Sequence, residues 1–194
     1  MKNSILILTI IFMTGCKAWD PSMISVQKDP ISPKLLSLER RMEDLANTTV
    51  NTNDDELKVF TEEVEKNLIN PYGDKYGYIA YKKNVLDYSP GMGMLLLSSF
   101  TLTVPNLFGM PYQTIKYKVE VELRIMDSQN RLIGKYSAIG EAKSTVAYYY
   151  GYSIKSAVKR TYPEAIKDAF SKIRPQIQAD VKRLNKALKE AGKL

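Results

Sequence analysis

The sequence contains no histidine and only one cysteine, Cys16, among its 194 residues. These absences exclude Ser–His–Asp and Cys–His catalysis, metal binding through imidazole, zinc fingers and intramolecular disulfides. The apolar run at residues 4–12 is far shorter than the roughly 20 residues that a membrane-spanning helix needs. What is present, 44% apolar and 25% charged residues, is typical of one or at most two soluble domains.

The first sixteen residues have the layout of an export signal. A positive charge at Lys2 precedes the apolar run 4–12, which ends at Met13-Thr14-Gly15-Cys16. This ending resembles the lipobox of bacterial lipoproteins. The resemblance implies that residues 1–15 are a signal peptide, and that Cys16 receives a diacylglyceryl thioether and is then acylated on its new amino group.

Two alternatives for Cys16 remain open: an ordinary signal peptide cut further along, and an uncleaved N-terminal helix. A free thiol in an exported protein is a liability unless it is consumed, which favours lipidation. Three acyl chains would anchor the chain stably, because a single chain is marginal. Enteric lipoproteins kept at the inner membrane carry Asp where this chain has Lys17, so the same resemblance implies an outer-membrane location. We expect the body to face the periplasm.

Residues 16–33 hold three prolines and no clear periodicity, which predicts a lipidated, flexible tether. Residues 34–194 are then expected to form a single domain. Ser32-Pro33 is typical of a helix start, with Leu35, Leu38 and Met42 at helical spacing. A short strand at residues 34–38 is the alternative.

The strongest strand pattern is at residues 115–125, where apolar and charged residues alternate without exception. This pattern predicts an antiparallel sheet with one buried and one solvated face. Turn residues at 127–130 indicate that residues 131–143 return as the hairpin partner.

Helical periodicity occurs before and after these strands. One helix is predicted with Leu57, Phe60, Val64 and Leu68 on its apolar side. Residues from 153 onward are helical throughout; the capping-box sequence 161–164 predicts that a new helix begins there, and Pro175 is expected to kink or divide it. The predicted fold is α+β: a small antiparallel sheet with a hairpin, covered by helices on one face, and a long C-terminal helical segment.

Segment 89–115 contains no charged residue and is bounded by Tyr88 and Tyr112. One interpretation inserts it into a membrane with the tyrosines at the interface. The favoured alternative is a crossover helix at residues 94–103, buried against the sheet.

Charge and aromatic residues supply two further candidate sites. Residues 152–194 carry the whole net charge of +7. A stripe of lysines lies beside the apolar residues of the last helical turns: Lys182, Lys186, Lys189 and Lys193. Such a stripe can bind anionic lipid, lipopolysaccharide or an acidic protein. Nucleic acid fits this charge but not the export signal. A merely solvated helix face is the alternative.

The second candidate is a cluster that can act as a binding platform or close one end of the sheet: Tyr148, Tyr149, Tyr150 and Tyr152. No arrangement suggests catalysis, a metal site or a cofactor. Glu120 and Glu122 are flanked by cations and predict a salt-bridge ladder, and Gly91-Met92-Gly93 lacks the remaining glycine of a nucleotide loop.

The lipobox cysteine, the hairpin at 119–141 and the Ala-rich helix at 157–173 together resemble small α/β envelope lipoproteins of Gram-negative bacteria. The periplasmic domain of the curli secretion channel has a similar layout. The resemblance implies a non-enzymatic, lipid-anchored protein that binds another envelope component, with Cys16 as the one transferred functional residue. An oligomeric export or pore component, with segment 89–115 in the outer membrane, is the alternative.

Overall fold

The computed structural model describes residues 20–42 and 53–194. It has the α+β fold that the sequence predicts, with one four-stranded sheet and a long C-terminal helix. Cys16 and the predicted signal peptide, residues 1–15, lie outside the described residues.

The sheet has strands β1 (Glu39–Met42), β2 (Gly77–Ser89), β3 (Gln113–Asp127) and β4 (Leu132–Val146), in that order. The predicted hairpin is β3–β4, and β2 extends it as a second antiparallel neighbour. The short β1 pairs with β2 in parallel, which makes the sheet mixed. Alternate residues of β3 are buried, because one face of the sheet packs against helices and the other meets solvent.

The C-terminal helix α4 (Ile154–Ala191) covers β3 and β4 without a break, so the predicted start at residue 161 is wrong. Ser153 caps it, accepting a bond from the backbone N–H of Ser156 at 3.2 Å. The Thr161 hydroxyl donates back to the Ala157 carbonyl at 2.5 Å and therefore does not cap a new helix. Pro163 and Pro175 both lie inside the helix, because burial of its apolar face on the sheet outweighs roughly 3 kcal/mol of proline cost at each site.

Helix α1 (Asn53–Glu63) continues through a π-helical turn (Val64–Leu68). Phe60, Val64 and Leu68 are buried as predicted, but Leu57 is 47% exposed. The buried face is rotated so that Glu56 points into the core in place of Leu57. Helix α2 (Met92–Phe100) and the single turn α3 (Val104–Leu107) form the connection between β2 and β3.

The N-terminal segment is packed against the domain where the structure describes it, so the predicted tether does not apply to residues 20–33. Ile24, Val26 and Ile31 belong to the core cluster. The segment runs beside α4: Lys167 Nζ donates to the Met23 carbonyl at 2.7 Å. Burial of three branched side chains outweighs the conformational freedom that the prolines suggested.

The segment that follows holds an extended conformation, so the predicted helix at Ser32-Pro33 is wrong. Leu35 makes an isolated bridge with Ile69, and regular pairing begins only at Glu39. The Asn185 side chain keeps this backbone in place, accepting from the Leu36 N–H at 2.9 Å and donating to the Lys34 carbonyl at 3.0 Å. The alternative, a short strand, is therefore nearer to what the structure shows.

The strand register gives the molecule two distinct ends. At the head end, β2 leaves the sheet after Ser89 and β4 leaves it after Val146. At the turn end, β3 and β4 are joined by residues 128–131, and the Ser128 hydroxyl donates to the Ala191 carbonyl of α4 at 2.9 Å. The 38 residues of α4 span about 57 Å between the two ends.

Candidate functional site

The head end carries an exposed apolar surface. We define the apolar head as residues 92–108, which contain α2 and α3. Eight large apolar side chains of this segment are exposed to solvent: Met92, Leu96, Leu97, Phe100, Leu102, Val104, Leu107 and Phe108. The exposed fraction reaches 86% for Phe100 and 87% for Phe108. The predicted buried crossover helix is therefore wrong, because the segment projects from the end of the sheet and does not pack across its face.

The backbone of the apolar head is fixed close to the sheet and is unusual at its apex. Gly91 has a φ of 61°, and a Cβ there would lie 2.6 Å from the Thr114 carbonyl oxygen, so β3 approaches too closely for another residue. Leu102 and Thr103 adopt the left-handed conformation, with φ of 49° and 62°. Such conformations cost energy in residues with a Cβ, and they are retained most often at functional sites. Here they turn Leu102 outward, where it is 83% exposed.

Three hydroxyl groups of the apolar head are bonded within the head itself. Ser98 donates to the Met94 carbonyl at 2.9 Å, and Ser99 donates to the Leu95 carbonyl at 3.0 Å. Thr101 donates to the Leu97 carbonyl at 2.8 Å. These side chains bond to carbonyls one turn earlier in the helix, so they need no water as a partner. These three hydroxyls consequently do not oppose contact with an apolar phase, whereas Asn106 Oδ1 is buried without a hydrogen-bond partner.

A group of tyrosines lies where the apolar head joins the sheet. We define the tyrosine collar as Tyr88, Tyr112, Tyr117, Tyr148, Tyr149, Tyr150 and Tyr152. Tyr112 and Tyr148 make an edge-to-face contact at 4.6 Å between ring centroids, and Tyr88 packs on Tyr117 at 4.7 Å. The Tyr150 hydroxyl donates to the Gly109 carbonyl at 3.0 Å, which ties the collar to the end of the head.

The collar combines the two interpretations that the sequence left open for residues 148–152. Tyr152 is buried and makes an isolated bridge with Val146, so it closes one end of the sheet. Tyr148 and Tyr150 remain 44% and 49% exposed, so they also present a surface. Burial, the hydrogen bond to Tyr148 and its electrostatic influence raise the pKa of Tyr112 to about 12. The Tyr112 hydroxyl is therefore uncharged at physiological pH.

The charges of the head end are mostly positive, although Asp87 and Glu141 line the same groove as its lysines. Stretches 88–119 and 142–163 contain six basic residues and no acidic residue. Lys116 and Lys143 are direct cross-strand partners at the end of the sheet, and both are exposed. Like charges in this position repel each other. Two residue pairs further from the head the repulsion ends, since Lys118 is opposite Glu141 and pairs with it at 3.0 Å. We call the Lys116–Lys143 pair the cation rung.

The structure places the predicted lysine stripe at the turn end, far from the tyrosines. Lys193 pairs with Asp74 at 2.5 Å, and Lys186 lies 3.8 Å from Glu190. Lys182 and Lys189 are exposed on the same part of α4. The predicted site residues therefore form two separate surfaces, and the stripe is partly compensated by acidic neighbours.

Two clusters of buried charge hold the middle of the molecule together. Glu56 of α1 is fully buried; it forms an ion pair with Lys83 of β2 and accepts a bond from the Tyr162 hydroxyl at 3.1 Å. Glu63 contacts Arg174 of α4 at 2.7 Å, and burial raises the pKa of Glu63 against the influence of that cation. Both carboxylates are enclosed and join α1 to the neighbouring elements, so we assign them a structural role.

The solvated face of the sheet carries the predicted salt-bridge ladder. Glu122 accepts from Arg124 at 2.6 Å and pairs with Lys135 of β4 at 3.0 Å. Burial alone would raise the pKa of Glu122, but the bonds from Lys135 and Arg124 lower it below its ordinary value. This carboxylate is therefore engaged with cations on both sides.

In ranges 20–42 and 53–194 no helix has both the length and the apolar character needed to cross a membrane. The same ranges contain no group of three or more acidic side chains arranged to hold a metal ion.

No protein-family model matches the chain, and no curated protein matches it. Among solved structures, the chain is similar to a minor lipoprotein from Acinetobacter baumannii, with a TM-score of 0.31, 15% identity, and coverage of 79% of this chain and 94% of that one. It is also similar to a Helicobacter pylori protein described as a homologue of the neuraminyllactose-binding hemagglutinin. That match has a TM-score of 0.30 and 8% identity and covers 84% of this chain and 94% of that one.

Sequence reasoning identified the pieces of the head end but did not join them. The tyrosines at 148–152 and the uncharged segment are more than thirty residues apart, and only the antiparallel register of β2, β3 and β4 brings them together. Sequence reasoning missed the cation rung although a signal existed. The uncharged segment and the tyrosine string each lie within a longer stretch that has basic residues but no acidic residue.

Proposed function

We propose that this protein is a non-enzymatic lipoprotein of the bacterial outer membrane, anchored by Cys16 and acting by binding at the membrane surface. The observation that supports this function best is the exposed apolar head, with exposed fractions of 86% and 87% at Phe100 and Phe108. A contiguous apolar patch of this kind on a soluble domain is typical of an interaction site.

The path of the N-terminal segment supports the same proposal. The described chain begins at Asp20, close to the point where Met23 contacts Lys167 in the half of α4 nearer the head end. Three residues lie between Cys16 and Asp20, so the Cα atoms of these two residues are at most about 14 Å apart. A lipid on Cys16 would thus hold the domain close to the membrane. The half of the domain nearest the anchor would be the half that includes the head end.

The lysine stripe at the turn end remains the candidate contact for a second partner, either an acidic envelope protein or lipopolysaccharide. Removing residues 182–194 is not a clean test of it, because Leu184 and Leu188 are fully buried. The exposed lysines are better changed singly, as Lys182→Gln and Lys189→Gln, with capture of cross-linked envelope proteins as the measurement.

The proposed anchor is tested by the intact mass of the mature N-terminal peptide, extracted from membranes of a Gram-negative host. We expect a peptide that begins at Cys16 and carries diacylglyceryl and acyl additions, recovered from the outer-membrane fraction. The Cys16→Ala variant should lack both the additions and the cleavage. An unmodified N-terminus beyond Cys16 in the wild-type protein would contradict the proposal.

A second candidate is an oligomeric export component in which several copies place segment 89–115 in the outer membrane. The exposure of the apolar head favours it as well. Chemical cross-linking in intact cells separates the two: a ladder of defined homo-oligomers supports the export component, and its absence supports the monomeric binding protein.

A further inference from the structure

The head end has three layers, each suited to a different depth of a lipid bilayer. The apolar head is outermost and contains no charged side chain. The tyrosine collar follows, and the cation rung lies at the end of the sheet beside it. Bilayers present the same order from inside to outside: hydrocarbon, an interface that favours aromatic rings, and headgroups that are anionic in many bacterial membranes.

We propose that the apolar head, the tyrosine collar and the cation rung form a second membrane contact, which inserts into one leaflet of an anionic bilayer. The proposal rests on the proposed function for the presence of the membrane, but the contact itself needs no acyl chain. Its occupant is the bilayer and not another protein, for reasons of polarity, charge and length.

Polarity favours lipid because three hydroxyl groups of the head are bonded within it, and the one unpaired amide oxygen, Asn106 Oδ1, is fully buried and does not face a partner. Ser98, Ser99 and Thr101 each donate to a carbonyl within α2 or its last turn, at 2.8 to 3.0 Å. A protein partner is commonly recognised through some polar groups left open to it, whereas hydrocarbon requires that all of them be satisfied internally.

Charge favours an anionic surface because three lysines, Lys116, Lys118 and Lys143, share one groove with only two carboxylates, those of Asp87 and Glu141. Lys116 and Lys143 face each other directly, and stretches 88–119 and 142–163 contain no acidic residue. The repulsion between the two ammonium groups is relieved when phosphate groups lie against them, and each lysine near such a surface contributes on the order of a tenfold gain in binding.

Length favours insertion into one leaflet. Helix α2 has nine residues and is therefore about 13.5 Å long, whereas the hydrocarbon core is about 30 Å thick. Two short helices joined by a turn at Leu102 and Thr103 can enter the outer part of one leaflet, with Tyr88 and Tyr148 remaining at the interface.

The experiment uses the full lipidated protein in vesicles, with a fluorophore attached to one introduced cysteine. Because Cys16 is acylated in the lipoprotein, Phe108→Cys or Tyr72→Cys supplies the only free thiol. These two side chains are equally exposed, at 87% and 82%, but Tyr72 lies towards the turn end. We expect lipids brominated in their acyl chains to quench the fluorophore at position 108 and not at position 72.

Matched substitutions then test each layer. Leu96→Asp with Phe100→Asp should abolish quenching at position 108, while Leu132→Asp at the turn end should leave it unchanged, since all three positions are more than half exposed. Lys116→Gln with Lys143→Gln should reduce the inserted population by about tenfold or more in phosphatidylglycerol vesicles. The same pair should have no effect in phosphatidylcholine vesicles. Lys182→Gln with Lys189→Gln is the charge-matched control.

Each outcome has a definite meaning. Equal quenching at positions 108 and 72 on an anchored protein overturns the membrane contact and leaves the anchor intact. Release of the wild-type protein from the vesicles, with a reactive thiol at Cys16, overturns the proposed lipid anchor instead. A fluorophore at position 108 that is shielded from water but not quenched by brominated lipid, in a protein that cross-links as a dimer, assigns the apolar head to a second copy of the chain.

Discussion

The two ends of the molecule both carry surplus lysine, but they differ in what surrounds it. At the turn end, Asp127 pairs with Arg131 at 2.7 Å and Asp180 pairs with Arg183 at 2.7 Å, so cations and carboxylates alternate. At the head end, Lys116 and Lys143 are directly opposed, and their groove holds three lysines but only the two carboxylates of Asp87 and Glu141. Net charge along a helix therefore says less about a binding surface than the local balance of charge does.

The ends also differ in how apolar side chains are used. Apolar residues of α4 near the turn end, such as Leu184 and Leu188, are fully buried. In the apolar head the larger side chains face solvent. One end thus buries its apolar side chains by its own packing, whereas the other leaves them exposed to solvent.

The largest expected effect comes from disturbing the packing of α4 on β4, between the two ends of the molecule. A Cβ at Gly140 of β4 would lie 1.9 Å from the Ala165 carbonyl oxygen and 2.6 Å from the Ala169 nitrogen, so α4 would have to move away. We expect Gly140→Ala to lower the free energy of unfolding by about 3 kcal/mol, measured by urea unfolding.

The same substitution in the apolar head is the control. Gly93 has nothing within 4 Å of a built Cβ, and it lies in α2. Gly93→Ala should leave the free energy of unfolding unchanged or raise it by about 0.5 to 1 kcal/mol, because alanine favours the helix. Equal losses for the two variants would contradict the contrast between a packed middle and an exposed head.

An intermediate effect is expected from the carboxylates of the turn end. Asp127 accepts from the backbone N–H groups of Gln129 and Arg131, both at 2.9 Å. Burial alone would raise the pKa of Asp127, but the bonds from Arg131 and Gln129 lower it below its ordinary value. A lowered pKa in the folded state contributes stability that is present at neutral pH and is lost as the pH falls through the acidic range.

We therefore expect Asp127→Asn to lower the free energy of unfolding by about 1 to 2 kcal/mol at pH 7. The difference from the wild-type protein should shrink below about pH 4, where the unfolded-state carboxyl becomes protonated. Urea unfolding at pH 7 and pH 3 measures both values. The control is Asp87→Asn, at an exposed position near the head end, which should change the free energy of unfolding little at either pH. If Asp127→Asn costs as much stability at pH 3 as at pH 7, the assignment to ionised Asp127 is contradicted.

The smallest effect is expected where the tyrosine collar meets the apolar head. Tyr150→Phe removes the single hydrogen bond to the Gly109 carbonyl and leaves the ring in place. Because this bond is exposed, the free energy of unfolding should fall by only about 0.5 kcal/mol. Amide hydrogen exchange should nevertheless quicken within the head and remain unchanged at the turn end. Faster exchange throughout α4 would show that the collar supports the whole domain.

Much of the fold was predictable because periodicity reports burial directly. The unbroken alternation at residues 115–125 predicted β3 and its buried face, and helical spacing predicted α4. The predictions that failed concern residues with competing signals. Thr161 and Pro163 have the form of a helix start, and Leu57 has the spacing of the apolar side of α1. The structure instead buries Glu56, whose Oε2 is bound by Lys83 and Tyr162.

The sequence by itself determined which residues are suited to a membrane surface: the uncharged segment, the tyrosine string and the excess of lysine are all visible without coordinates. Only the tertiary structure decided which of them act together. Antiparallel pairing of β2, β3 and β4 brings the first two to one end with Lys116 and Lys143, and the length of α4 carries the lysine stripe to the other. The physical reason is that composition and periodicity are local properties, whereas a surface is made by strand register and helix packing between residues far apart in the chain.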